Sequence, residues 1–239
     1  MILVVGAMPQ ETAGLGKQGE TLMLGDTRVD VYSVGVGKVM SSMNTQKLID
    51  RLQPDAVIMA GVAGGINPEL AIGDVVIGRE TIQHDLDAVA LGIPRGTIPF
   101  TEYRWLQADS RLLMAAEKLT PPQSDDYDRQ CGRLARLISG RILSGDQFMT
   151  RAIQQRSPHL RGELAGDAVD MESAAVALVC VCNQIPHLVI RVISDTADGK
   201  AKVDFSRFLP MAGKVLAQLV KELVINYSSQ LEKEKEQEK

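Results

Sequence analysis

Apolar residues in this chain fall into short runs of strand length, separated by polar, glycine or proline positions. Residues 1–6 form one such run, and residues 56–60 and 187–193 are nearly continuous in aliphatic side chains. Continuous runs of this length are typical of central strands covered on both faces of a sheet. Segments of helical length lie between them, so the pattern predicts strands and helices that alternate along the chain.

Glycine and proline positions mark where these elements end. Residues 21–24 and 28–33 flank the turn signal Gly25-Asp26-Thr27, which predicts an antiparallel hairpin and therefore a mixed sheet. We expect one domain at residues 1–228, a three-layer α/β/α sandwich around a mixed central sheet, and a charged, flexible tail at 229–239. The remaining predicted elements are strands at 72–77 and 136–144 and helices at 37–52, 110–119, 171–183 and 205–227.

The composition is typical of a globular protein that binds a small molecule. Hydrophobic residues make up 45% of the 239 residues, enough for a core without a disulfide or a metal. The 26 Lys and Arg residues against 30 Asp and Glu residues give a net charge of −4 without a basic stripe, so neither nucleic acid nor membrane is an expected partner. The first apolar run lacks the positive region of a signal peptide, which predicts a cytoplasmic protein.

Acidic residues follow several of the predicted strands. Glu11 comes shortly after the first strand, Glu172 follows an extended stretch that ends at Val169, and Asp195 follows the strand at 187–193. Because ligands of open α/β sheets bind at the carboxyl ends of strands, these acids are expected to converge if the strands there are parallel. Each acid alone also fits a structural role, Glu11 and Glu172 in the first turn of a helix and Asp195 as an N-cap.

Short motifs in register along the chain identify a family. Each is unspecific alone; the glycines at 61–65, for example, lack the lysine of a phosphate loop. The motifs are Gly6-Ala7-Met8-x-x-Glu11, Gly35-Val36-Gly37-Lys38, Gly61-Val62-Ala63-Gly64-Gly65, Gly73-Asp74-Val75-Val76, His84-Asp85-x-Asp87, Ser144-Gly145-Asp146-x-Phe148, Val169-x-Met171-Glu172 and Arg191-x-x-Ser194-Asp195. Together they resemble the 5′-methylthioadenosine/S-adenosylhomocysteine nucleosidases, members of the nucleoside phosphorylase superfamily, over about residues 1–225.

The resemblance implies a separate role for each of three carboxyl groups. Cleaving a purine N-ribosidic bond makes a cation-like sugar and a poor leaving group, the purine anion. By this resemblance Asp195 is the general acid that protonates purine N7, and Glu11 is the general base that takes a proton from water. Their environments are then expected to push the two pKa values apart. Glu172 is implied to accept hydrogen bonds from the two vicinal ribose hydroxyls.

The resemblance also implies the walls of the nucleoside site. Large rings are commonly buried, so core packing is the alternative for Phe148 and Phe205. The implied roles are Met171 against the sugar, Phe148 stacked on the purine, Met149 offering backbone groups to the base edge, Phe205 and Val36 along the alkylthio side, Arg191 holding the water, and Ser194 orienting Asp195.

The nucleophile pocket favours water over phosphate. A phosphate needs clustered cations and hydroxyl or backbone donors. Phosphorylases of this superfamily are expected to have a glycine-rich loop, an arginine and a hydroxyl where this chain has Ala7, Met59 and Val62. Val62 also departs from the nucleosidases, which usually have Ser or Thr at this position to help hold the water. Asp170 replaces a more usual glutamate, a conservative change expected to matter little.

A segment at 84–100 matches the part of the family that reaches into a neighbouring subunit. Leu91 and Pro99 stand at the positions that close the partner's alkylthio pocket, which predicts a homodimer. His84 precedes an aspartate, but the other histidines, His159 and His187, fall elsewhere in the sequence and complete no ligand set. We therefore expect a structural hydrogen-bond role for His84 and no bound metal.

The sequence thus predicts a hydrolase, without a cofactor, that splits 5′-methylthioadenosine and/or S-adenosylhomocysteine into adenine and a 5-thioribose derivative, in nucleoside catabolism and methionine salvage. The alternatives are a futalosine or aminodeoxyfutalosine hydrolase, a purine nucleoside phosphorylase, and a non-catalytic nucleoside-binding module. The last would not need an acid and a base on opposite sides of the sugar. A dinucleotide-binding fold lacks the required glycine spacing after the first strand.

Overall fold

Strands and helices alternate along the chain, as the pattern of apolar runs predicts. The computed structural model describes residues 1–122, 131, 133–196 and 201–237, except for the side chains of residues 201–207. The strands are β1 (Ile2–Gly6), β2 (Thr21–Leu24), β3 (Thr27–Ser33), β4 (Ala56–Gly65), β5 (Val75–Gln83), β6 (Leu106–Gln107), β7 (Leu137–Ser144), β8 (Ala168–Asp170) and β9 (His187–Asp195). The α-helices are α1 (Pro9–Thr12), α2 (Lys38–Leu52), α3 (Ser110–Ala116), α4 (Arg151–Gln155), α5 (Ser173–Cys182) and α6 (Ala201–Gln237).

The described strands form one mixed sheet. Its order is β2-β3-β1-β4-β8-β7-β5-β6, and β9 pairs with both β4 and β5. The predicted hairpin is confirmed because β2 and β3 are antiparallel, whereas β1 lies parallel to β3 and β4. The two pairings of β9 close β4, β8, β7, β5 and β9 into a ring. The sequence analysis predicts the mixed sheet but not this closure.

Alternate side chains of the central strands enter two separate cores. On β1, Ile2 and Val4 pack in the cluster that includes α3 and α6, whereas Leu3 and Val5 pack in the cluster that includes α2 and α5. This period of two is what a strand covered on both faces requires. Each fully buried aliphatic side chain of this kind stabilises the fold by about 1.5–3 kcal/mol. Helices therefore cover both faces of the sheet, which confirms the predicted three-layer α/β class.

The glycine cluster continues strand β4 instead of following it. β4 runs to Gly65, pairing with β9 across Gly61 and with β8 at Gly64 and Gly65. A Cβ atom at Gly61 would lie 1.8 Å from Nη1 of Arg191 and 2.5 Å from Oε1 of Glu11. Glycine here leaves room for two charged groups beside the strand, which is why a glycine-rich segment extends a central strand at this edge.

Helix α6 continues through the segment predicted as a tail. Residues 229–237 are helical, and Glu234 pairs with Arg111 on α3 at 3.3 Å; the predicted flexibility of this charged tail stays a prediction. Acidic and basic side chains three or four residues apart stabilise a helix through ion pairs along one face. The composition of the segment alone does not reveal this spacing. The domain boundary at residue 228 stays a prediction. Among the described helices, none is both long and apolar enough to cross a bilayer.

Candidate active site

A cleft of about 680 Å³ lies at the carboxyl ends of β1, β4, β8 and β9. β8 is antiparallel to β4, contrary to a simple parallel edge, yet its last residues lie beside the last residues of β4, so the predicted acids still converge. The residues that line the cleft are Ala7, Met8, Glu11, Val36, Val62, Ala63, Gly64, Gln147, Phe148, Met149, Val169, Asp170, Met171, Glu172, Ser194 and Asp195.

Glu11 lies in α1, just beyond the end of β1. Its Oε2 accepts a hydrogen bond from the backbone N–H of Met8 at 2.8 Å, and its Oε1 accepts one from the N–H of Val62 at 2.9 Å. The residue is almost fully buried. Burial raises the pKa of Glu11, and the charge of Arg191 and the two backbone N–H groups only partly offset this effect. A carboxylate with a raised pKa is a stronger base, which suits it to accept a proton.

Arg191 lies on β9, behind the wall of the cleft, and is fully buried. Its Nε donates to Oδ2 of Asp170 at 2.7 Å, its Nη2 is 3.7 Å from Oε2 of Glu172, and its Nη1 is 4.0 Å from Oε1 of Glu11. Nη1 has no hydrogen-bond partner among the described residues. Burial lowers the pKa of Arg191, but the three surrounding carboxylates raise it by more. One buried cation therefore connects three acids from different elements.

Asp170 is the central partner of Arg191, which the sequence analysis missed. Besides Arg191 it accepts hydrogen bonds from the hydroxyls of Ser144 and Ser173, and from the backbone N–H groups of Glu172 and Ser173 at 3.2 Å each. A buried carboxylate is stable only when it is bonded in this way. Asp170 thus joins β7, β8, α5 and β9, and the expectation that aspartate in place of the more usual glutamate matters little stays a prediction. The feature of the sequence that could have indicated this role is the position of Asp170 at the end of strand β8.

Glu172 follows directly at the N-cap position of α5. Its Oε1 accepts a hydrogen bond from the backbone N–H of Gly37, the residue before α2, at 2.9 Å. Burial raises the pKa of Glu172 to about 7; the charges of Asp170 and Glu11 also raise it, and those of Arg191 and the Gly37 N–H oppose the shift. The group therefore changes its charge in the neutral range, facing the space where a ligand would lie.

Asp195 and Ser194 are the last two residues of β9. Ser194 Oγ lies 3.0 Å from Oδ2 of Asp195 and 3.4 Å from the carbonyl oxygen of Ala63, so the serine hydroxyl bonds the aspartate to β4. Both residues are almost fully buried and both line the cleft that Glu11 lines. The sequence-predicted acid and base thus open into one cavity. Asp195 lies within a strand, so the N-cap alternative is wrong.

The remaining predicted residues fall into three groups. Phe148 is 41% exposed, so the core alternative is wrong for it, and it lines the cleft together with Val36, Val62, Met149 and Met171. The side chain of Phe205 lies outside the described part of the chain. Leu91 and Pro99 do not line the cleft, and Leu91 is largely exposed. Further lining residues that the sequence analysis missed flank the predicted ones at strand ends: Ala7, Met8, Ala63, Gly64, Gln147 and Val169.

His84 does not have the hydrogen bonds that the sequence analysis expects. Neither of its ring nitrogens has a hydrogen-bond partner among the described residues. Its ring lies 5.7 Å from that of His159, although the two histidines are far apart in the sequence. Burial lowers the pKa of His84 to about 4, so the ring is neutral near pH 7. Within the described part of the chain, no group of three or more His, Cys, Asp or Glu side chains is arranged to hold a metal ion.

Comparisons with known proteins match nearly the whole chain. The sequence model of the family described as the phosphorylase superfamily matches residues 2–225. A 5′-methylthioadenosine/S-adenosylhomocysteine nucleosidase from Geobacillus thermodenitrificans is 36% identical over 231 residues, covering 91% of this chain and 93% of its own length.

Two solved structures resemble the whole fold. A 5′-methylthioadenosine/S-adenosylhomocysteine nucleosidase from Neisseria meningitidis in complex with methylthio-immucillin-A has a TM-score of 0.79 and 32% identity, covering 93% of this chain and 97% of its own. A futalosine hydrolase mutant from Helicobacter pylori has a TM-score of 0.78 and 29% identity, again covering 93% and 97%. The similarity extends over nearly the entire length in every case.

The raised pKa of Glu172 predicts how stability changes with pH. Because its pKa is about 7 in the folded chain against 4.5 ordinarily, its contribution to stability is complete below about pH 4.5 and is lost as pH rises through 7. Glu172→Gln keeps the shape of the side chain but cannot ionise. The free energy of unfolding of the variant minus that of the wild type should therefore increase from about pH 5 to about pH 8, by up to about 1.4 kcal/mol per pH unit. Urea unfolding across this range measures the gain. A difference between the two proteins that stays constant with pH would contradict the assignment.

Proposed function

The chain belongs to the phosphorylase superfamily and, within it, to the 5′-methylthioadenosine/S-adenosylhomocysteine nucleosidases, and we infer that it hydrolyses the N-glycosidic bond of 5′-methylthioadenosine, S-adenosylhomocysteine or both. The products are adenine and a 5-thioribose derivative. The observation that carries this inference is that Glu11, Glu172 and Asp195 line one cleft at the strand ends. A purine nucleoside that occupies the cleft can meet a proton donor, a proton acceptor and a partner for its ribose hydroxyls at once.

Asp195 is the general acid of the proposed reaction. As the bond between C1′ and N9 breaks, its electron pair moves into the purine, and Asp195 delivers a proton to N7 so that the base leaves neutral. General acid catalysis of this kind accelerates a reaction typically by 10²–10⁴-fold. The hydroxyl of Ser194, 3.0 Å from Oδ2 of Asp195, fixes the orientation of this carboxyl group. Burial among β4 and β9 side chains keeps bulk water from competing for the proton.

Glu11 is the general base. Water forms the new bond to C1′ as the sugar becomes cation-like, and its proton passes to Glu11, whose pKa is raised by burial. Arg191, whose Nη1 is 4.0 Å from Oε1 of Glu11, supports the water from behind the wall of the cleft. The backbone N–H of Val62 holds Glu11 in place, although its side chain offers no hydroxyl to the water.

Other residues of the cleft bind the nucleoside. Glu172 accepts hydrogen bonds from the two ribose hydroxyls, and the backbone N–H of Gly37, bonded to its Oε1, orients the carboxylate. Phe148 stacks on the purine, Met149 offers its backbone to the base edge, and Met171 packs against the sugar. In this proposal Val36 and Phe205 lie along the 5′ substituent.

Charge supports water rather than phosphate as the nucleophile. Among the described residues that line the cleft, none is lysine or arginine. Arg191 is already paired with Asp170 at 2.7 Å and lies among three carboxylates, which would repel a phosphate dianion. A phosphorylase would need cations free to meet that charge.

A futalosine or aminodeoxyfutalosine hydrolase is the second candidate. The similarity to a futalosine hydrolase mutant at 29% identity supports it nearly as well as the similarity to several nucleosidases at the same level. The two activities share the cleavage step and differ in the 5′ substituent. Rates of base release from methylthioadenosine and from aminodeoxyfutalosine, measured side by side, separate them.

The setting of the enzyme is part of the same proposal. We propose a cytoplasmic enzyme of nucleoside catabolism and methionine salvage, since its products are adenine and a thioribose.

A homodimer is proposed from the apolar side chains around the open side of the cleft. Val36, which lines the cleft, is 50% exposed, and Val39, Met40 and Met43 on α2 are exposed beside it. Leu91 also exposes most of its side chain to solvent. Exposed apolar side chains at the rim of a cleft and on the adjoining helix are typical of an interaction surface. In the proposed dimer, Leu91 and Pro99 of one subunit close the 5′ side of the other subunit's cleft.

Removing the proposed acid or base tests the chemistry. Asp195→Asn and Glu11→Gln should each reduce kcat for adenine release from methylthioadenosine by at least about 10²-fold, because each deletes one proton transfer. Adenine release is followed by chromatography. Gln147→Ala, a change at a lining residue without a proposed proton-transfer role, is the control and should retain kcat within about tenfold. Turnover by Asp195→Asn at the wild-type rate would remove the acid assignment, and no adenine release by the wild type from either substrate would refute the function.

A charge at the proposed interface tests the dimer. Leu91→Asp should raise the dimer dissociation constant at least about tenfold, because an unpaired carboxylate would have to be buried between subunits. Sedimentation at several concentrations measures this constant. Met23→Asp, equally apolar and exposed but on the edge strand β2, is the matched control and should leave the dimer intact. A wild type that is monomeric and fully active would contradict the proposal.

A further inference from the structure

Three motif residues without a role in the proposed chemistry meet at one point beside the cleft. Lys38 begins α2, Asp85 follows β5, and Asp146 follows β7. Lys38 Nζ lies 2.5 Å from Oδ1 of Asp85 and 3.7 Å from Oδ2 of Asp146. The backbone N–H of Lys38 donates to Oδ1 of Asp146 at 2.8 Å, and the N–H of Asp146 donates to Oδ2 of Asp85 at 2.9 Å. Each residue is bonded to both others, so the three form a closed network, called here the 38–85–146 clasp.

The clasp joins two walls of the cleft. On one side, Gly37 precedes Lys38 and donates its N–H to Glu172. On the other side, the residues that follow Asp146 are lining residues of the cleft, among them Phe148. Gly37 has a φ of 86°, and a Cβ there would lie 3.2 Å from Oδ1 of Asp146. Glycine therefore permits the close approach of the two walls.

The loop that carries Phe148 is also held at both of its ends. Gly145 donates its N–H to the carbonyl oxygen of Asp170 at 3.0 Å, and Met149 is buried in a core cluster with β7 and β8. Phe148 itself is 41% exposed and lines the cleft. The clasp bonds Asp146, two residues before Phe148, to α2 and to the end of β5.

The charges of the clasp are partly shielded from water. The side chains of Lys38 and Asp85 are 18% and 28% exposed. Burial raises the pKa of Asp85, but the hydrogen bonds from Lys38 and from the Asp146 N–H lower it by more, so the group is ionised at neutral pH. Ion pairs with this degree of exposure add little to stability. We therefore expect these contacts to affect the position of the Phe148 loop more than the stability of the fold. Small displacements of binding groups weaken binding.

We propose that Lys38, Asp85 and Asp146 are positioning residues that hold the Phe148 loop against the Gly37 and Glu172 side of the cleft, and thereby set how tightly the nucleoside is bound. This inference rests on the proposed function, since it takes a purine as the group stacked on Phe148. The acid and base lie on other elements, Glu11 in α1 and Asp195 in β9. Loosening the clasp therefore weakens binding of the purine without removing either proton transfer.

Substitutions within the clasp test this role. Lys38→Met and Asp85→Asn should each raise KM for methylthioadenosine about tenfold and change kcat by less than about threefold. The double variant should match the singles, because both remove one interaction. Lys38→Arg should restore much of the lost affinity. Lys47→Met, an exposed lysine on the same helix, is the matched control and should leave KM unchanged.

Equilibrium binding of adenine separates this inference from the proposed function. The adenine dissociation constant, measured by calorimetry, should rise about tenfold in Lys38→Met, with no turnover needed. An unchanged dissociation constant and KM in Lys38→Met, with or without a lower Tm, would overturn the inference and give the clasp a purely structural role. An equal loss in Lys47→Met would also overturn it. A wild type that binds adenine but releases none from any nucleoside would instead refute the proposed function.

Discussion

The burial of one guanidinium group constrains the whole candidate site. Arg191 is fully buried, and a buried cation without partners would destabilise the fold by several kcal/mol. Asp170 on β8 gives it a direct hydrogen bond, while Glu11 in α1 and Glu172 at the start of α5 lie within 4.0 Å. Elements that are far apart in sequence must therefore meet around this group. The absence of a side chain at Gly61 leaves room for this guanidinium group beside β4, where the strand ends meet at the cleft.

The same arrangement explains why these carboxyl groups are suited to proton transfer. Three acids share one cation, so at least one of them lacks a full counter-charge. Burial raises the pKa of Glu11 and of Glu172, while Asp170 uses its oxygens in direct bonds to Arg191 and two serines. A structural carboxylate thus lies next to two carboxyl groups whose pKa values burial raises, that of Glu172 to about 7. Environments that differ over so short a distance are a common basis of acid and base catalysis.

Sequence alone predicted the parts of the site that depend on local pattern. Aliphatic runs located the central strands, and acids placed directly after them, Glu11, Glu172 and Asp195, were brought together as expected. Asp170 was missed because its importance comes from a bond to Arg191, which is 21 residues away and on another strand. The continuation of β4 through Gly61 was missed for the same reason, since the glycine makes room for side chains from α1 and β9. Long-range pairing of buried charges has no periodic signal in a single sequence.

The most direct test of the account is a crystal structure of the Asp195→Asn variant with methylthioadenosine bound. The account predicts one nucleoside in the cleft, with its ribose hydroxyls on Glu172, purine N7 facing the side chain at residue 195, and C1′ open to Glu11 on the opposite face. A nucleoside bound outside this cleft, or one whose sugar contacts neither Glu11 nor Glu172, would contradict the central claim that the acids gathered around Arg191 act on one substrate.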